Sequence, residues 1–80
     1  MMLKVNTFIY VNDKYTRVVR EDDCGDVIFY WCMPRVFGRA SSEPDIAFDK
    51  PAQRYRRYAS NVSVTIRSGL YEDWLFTQLA

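Results

Sequence analysis

Seven consecutive apolar residues, Val27-Ile28-Phe29-Tyr30-Trp31-Cys32-Met33, stand between Gly25-Asp26 and Pro34. A run of this length, bounded by turn formers and rich in aromatic and β-branched side chains, reads as a β-strand. At period two one face carries Val27, Phe29, Trp31 and Met33, and the other carries Ile28, Tyr30 and Cys32. A strand with one wet face alternates apolar with polar residues, so this strand is either covered on both sides or offers one side to a partner. An 80-residue chain forms one domain with one small core and has little material to cover both. The expectation from this conflict is a binding surface.

The segments around the run extend the sheet. Residues 2–11 alternate imperfectly and predict a first strand, Asn12-Asp13-Lys14 a turn, and Tyr15 to Arg20 a second strand. Glu21-Asp22-Asp23-Cys24-Gly25-Asp26 reads as the next turn, which makes the first 34 residues a three-stranded meander. Pro34 to Asp49 carries Gly38, Ser41-Ser42 and Pro44 among anchoring apolar residues and reads as an ordered loop. Asp49 followed by Pro51 predicts a short helix to about Ala59, with a strand over 54–59 as the competing reading. Val62-Ser63-Val64-Thr65-Ile66-Arg67 alternates as a later, half-exposed strand. Glu72-Asp73, with Leu70, Tyr71, Trp74, Leu75 and Leu79 at helical spacing, predicts an amphipathic C-terminal helix. The fold expected is therefore α+β, a small antiparallel sheet packed with two helices, in a single domain over residues 1–80.

Catalytic chemistry lacks its usual parts. The chain has no His, so the proton shuttle most common at neutral pH is missing, and no phosphate-cradling loop or zinc-protease motif occurs. Cys32 lies in the apolar run, where a thiol behaves as a small hydrophobe, and Cys24 sits among Asp22, Asp23 and Asp26, which disfavour its thiolate. If one extended segment holds both cysteines, their Cα atoms lie roughly 26 Å apart, beyond the reach of a disulfide. Two Cys without His do not make a four-ligand zinc site. No enzyme activity, cofactor or metal is expected. Free thiols, and an opening Met1-Met2-Leu3-Lys4 without a charged leader and apolar stretch, point to the cytoplasm; no run is long enough to cross a bilayer as a helix.

Net charge is +1 but segregated: residues 1–20 carry +3, 21–34 carry −4, 35–67 carry +4 and 68–80 carry −2. Three surfaces follow as candidates. Glu21, Asp22, Asp23 and Asp26 form an acidic knob that could dock on a basic groove. Phe29, Trp31 and Met33 line one face of the long strand, and Trp, Met and Arg are enriched at protein interfaces. Arg54-Tyr55-Arg56-Arg57-Tyr58, with Arg67, interleaves guanidinium forks with rings that stack on unpaired bases, the elements of an RNA or single-stranded DNA surface. Small size, segregated charge and surplus aromatics favour the first two. The leading expectation is a non-enzymatic binding protein acting by surface complementarity on a larger protein or nucleoprotein. Inhibitors and adaptors carried by phages and mobile elements, anti-CRISPR proteins among them, are proteins of this general class, although no family resemblance is present. Direct nucleic-acid binding is the alternative, and self-association through the sheet a further one.

Overall fold

A computed structural model describes residues 3–37, 40 and 42–69. Its described part is all-β: β1 (Phe8–Val11), β2 (Lys14–Asp23), β3 (Val27–Met33), β4 (Ile46–Asp49), β5 (Arg54–Arg57) and β6 (Ile66–Ser68). They form one antiparallel sheet in the order β5-β4-β3-β2-β1-β6. The long apolar strand is central, flanked by β2 and β4. Asn12 and Asp13, at φ 48° and 70°, supply the left-handed pair that a tight β1–β2 hairpin requires.

No helix occurs among the described residues, which corrects the α+β expectation. Residues 51–59, expected as a helix, form a turn followed by β5. The cap-forming residue does cap, since the Ala52 amide donates to Asp49 Oδ1 at 3.3 Å, but Gln53 then enters the left-handed region at φ 54° and Ala59 at φ 56°. Between these two positions lie five residues, of which the first four pair with all of β4, Ile46 opposite Arg57 through Asp49 opposite Arg54. Backbone pairing along an otherwise open strand outweighs the weak helical preference of so short a segment. The predicted C-terminal helix lies outside the described residues.

The sheet curls until its edges meet. Val64 N donates to Tyr55 O at 3.0 Å and Arg57 N to Val62 O at 3.0 Å, while the next residue, Thr65, accepts from Asn12 N at 2.9 Å and donates to Asn12 Oδ1 at 2.8 Å. One short segment thus bonds to β5 and to the β1–β2 turn before becoming β6. Four strand spacings of a flat sheet would put those two places roughly 19 Å apart, so the sheet closes into a small barrel whose interior is filled by side chains. Ile9, Val11, Val18, Ile28, Tyr30, Cys32, Ile46, Phe48 and Val64 form that interior, with Leu3 and Val36 packed against it.

The Asp45 carboxylate, at the end of the segment between β3 and β4, ties it back to β3 and to Arg35 and Val36. Asp45 is fully buried; its Oδ2 accepts from Cys32 N at 2.8 Å, and its Oδ1 accepts from Arg35 Nε at 2.9 Å and Val36 N at 3.3 Å. Arg35 Nη2 in turn donates to Glu43 O at 2.7 Å. A buried carboxylate is tolerated only when its lone pairs are satisfied in this way.

The interior also sets a pH dependence. Burial pushes the Cys32 thiol up to about 12, reinforced by the Asp45 carboxylate, and burial raises the Tyr55 phenol to about 12 with Tyr30 adding to it. Both groups are held neutral in the fold and ionise more readily in the unfolded chain, where ordinary values are 9.0 and 10.0. Their contribution is complete below about pH 9 and is lost as pH climbs toward 12. The urea midpoint is expected to stay level from pH 7 to 8 and to fall steadily above about 9. In Cys32→Ala the fall should begin nearer pH 10; an unchanged onset would remove the thiol from this explanation.

Candidate protein-docking surface

Strand alternation divides the candidate residues between barrel interior and exterior. In β3, Ile28, Tyr30 and Cys32 are fully buried, Phe29 and Trp31 are half-buried, and Met33 is 55 % exposed. Register places the neighbours on the outside: Arg17 opposite Met33, Arg20 opposite Trp31 and Asp22 opposite Phe29. Arg20 and Trp31 share that face because the register shifts between Val18 and Arg20, a bulge that adds one residue to β2 and re-aims the side chains after it. The Arg20 guanidinium lies 4.3 Å from the Trp31 ring centre, and Trp31 Nε1 donates to Ser42 O at 3.3 Å. The indole is thus fixed in place with a cation laid on it. The Arg17 Nε is buried and donates to no acceptor among the described residues. Sequence reading missed Arg17 and Arg20; the bulge that brings Arg20 to Trp31 has no signature in Val18-Val19-Arg20.

The same exterior continues on both sides. Toward β4 and β5, Phe29 meets Tyr58 edge-on at 5.6 Å, beside the fully buried Ala47, with Arg56 opposite Ala47 and Arg54 opposite Asp49. Toward β1 and β6, Tyr10 stacks on Tyr15 with ring centres 4.4 Å apart, and Arg67 sits 3.9 Å from the Tyr10 ring centre.

The Arg/Tyr cluster is split by this alternation. Tyr55 turns inward onto Phe48 at 4.7 Å, and Arg57 follows it, its guanidinium 4.6 Å from the Phe37 ring centre. Arg54 and Arg56 face outward but are engaged by the 60–63 segment: Arg54 donates to Asn61 O and Ser63 Oγ, and Arg56 to Ser60 O at 3.3 Å. Arg67 belongs to the opposite edge strand, beside Asp13 at 3.7 Å. The cluster is therefore divided between interior and exterior, with Tyr55 and Arg57 turned inward.

The acidic residues are arranged differently from a knob. Glu21, Asp22 and Asp23 extend β2 rather than forming a turn, which is confined to Cys24-Gly25-Asp26 and closed by Cys24 N donating to Val27 O at 2.8 Å. Gly25, at φ 91°, fits that turn because it lacks a Cβ. Asp23 is held by Lys50 at 3.0 Å, and that ion pair, with the Gly25 amide, lowers its carboxyl below the ordinary value. Glu21, Asp22 and Asp26 are exposed and engage no cation among the described residues.

Both cysteines are free, Cys24 exposed and Cys32 buried. Lost hydration raises the Cys24 thiol first and the Asp22 carboxylate adds to it. Iodoacetamide at pH 8 is therefore expected to modify one cysteine of the native protein, Cys24, more slowly than it modifies a free thiol. Mass spectrometry after digestion checks this, and native labelling of Cys32 would contradict the buried β3 face. Among the described residues no three Cys, Asp or Glu side chains gather as metal ligands, and no helix is long and apolar enough to cross a membrane. No family model, curated protein or solved structure matches the chain.

Proposed function

We propose that this chain is a non-enzymatic protein-binding module, an inhibitor or adaptor, that docks on a larger protein through the outer surface of β2 and β3. The observation that carries the reading is Met33, more than half exposed on the same barrel exterior as Trp31 with Arg20 stacked on it. The interior is filled, so recognition falls to the outside. A fixed Trp with Arg and Met beside it is the composition of an interface centre.

Nucleic-acid binding draws less support from the same geometry. A base stacks on a free ring face, whereas Tyr10 already lies between Tyr15 and Arg67 and Trp31 carries Arg20. Affinity capture on the immobilised protein, with and without nuclease, tests the reading. A stoichiometric protein partner retained after nuclease is expected; a partner released by nuclease would favour the alternative.

A further inference from the structure

The β2 strand outruns its neighbour. β1 pairs with β2 only from Lys14 to Arg17, and the last contacts on that side are Val18 N to Thr7 O at 2.9 Å and Asn6 N to Val18 O at 2.7 Å. Beyond Val18, among the described residues, β2 pairs with β3 alone, through Arg20 to Asp23. Over this stretch no described residue bonds to its other edge.

The direction of each backbone group follows from the ladder. Cys24 and Val27 form a hydrogen-bonded pair, so the alternation of an antiparallel ladder makes Asp22–Phe29 and Arg20–Trp31 bonded pairs, and Asp23–Ile28 and Glu21–Tyr30 non-bonded ones. The other strand agrees: Tyr30 O accepts from Asp45 N at 2.8 Å, on the side of β3 away from β2. The amides and carbonyls of Glu21 and Asp23 therefore point outward, and none has a backbone partner among the described residues. This is a template for one more strand.

From this edge we infer a strand-addition site, resting on the protein-binding reading above, whose occupant is an extended segment of the partner carrying two consecutive basic residues. Adjacent residues of an added strand fall on opposite faces, where they meet Glu21 on one side and Asp22 on the other. Among the described residues those two carboxylates engage no cation, whereas Asp23 already holds Lys50. A second copy of this chain is a poor occupant. Symmetric pairing about Glu21 sets Glu21 against Glu21, and like charges directly opposite are unfavourable.

The test is an amide NMR titration with a capped peptide, Val-Thr-Lys-Lys-Val-Thr, and its Glu-Glu counterpart as control. The Lys-Lys peptide should shift the Glu21 and Asp23 amides, slow their hydrogen exchange, and bind at least tenfold more tightly than the control. Glu21→Pro removes one outward donor without touching the β2–β3 ladder and should abolish this response, while its urea midpoint stays close to that of the parent. Glu21→Lys with Asp22→Lys, which keeps every backbone donor, should reverse the peptide preference. Shifts centred instead on Phe29, Trp31 and Met33 would overturn the edge site and leave the docking face standing. Equal binding of both peptides, no shift, or concentration-dependent pairing of the protein with itself would also overturn it.

Discussion

Asp45→Ala is expected to unfold the protein or bring it to the margin. The substitution removes the acceptor for the amides of Cys32 and Val36 and strands Arg35, a cation 23 % exposed whose Nε is 2.9 Å from the carboxylate. Breaking a buried pair by deleting one partner costs about 3–5 kcal/mol, and a domain of this size has only about that much stability in total. Asp45→Asn keeps an acceptor oxygen in the same shape and should be milder, although its amide cannot satisfy both backbone donors and the guanidinium together. Urea unfolding of the three proteins checks the order. Near-equal midpoints for Asp45→Ala and the parent would mean that the 34–45 segment does not depend on this carboxylate.

Trp31→Ala carries the largest expected effect on binding. Truncating an aromatic anchor at an interface centre costs about 2–4 kcal/mol, roughly 30-fold to 1,000-fold in affinity. Here it also releases the Arg20 guanidinium from the ring on which it lies. Because Trp31 is on the exterior and only half-buried, its loss should lower stability less than truncation of Ile28, which is fully buried in the interior. Met33→Asp, which changes the most exposed side chain of β3, should weaken binding comparably with little effect on the urea midpoint. Loss of affinity that merely tracks loss of fold in both variants would argue against a docking face.

The alternation of β3 was legible from residues 27–33 alone: the Ile28-Tyr30-Cys32 side became the interior and the Phe29-Trp31-Met33 side the exterior. Strand partners and closure were not legible. Ile46 to Asp49 has the composition of a strand but is too short to signal one amid Pro44 and Ser42. Arg54 to Arg57 supports helix and strand alike until an unpaired β4 selects the strand. The half-exposed strand expected over 62–67 is divided in the fold: Val62 is exposed and Val64 buried, because 62–64 serves one barrel edge and 66–68 the other. The acidic residues looked like a turn because Asp and Gly dominate 21–26, yet the last three residues of β2 hold their extended form by pairing with β3.

Methyl-labelled methionine places a probe at the centre of the proposed face. Titrating the labelled protein with its captured partner should shift or broaden the Met33 methyl signal in step with complex formation, saturating at one equivalent. A partner that binds while the Met33 methyl stays unmoved would place the interface elsewhere and contradict the docking surface built on β2 and β3.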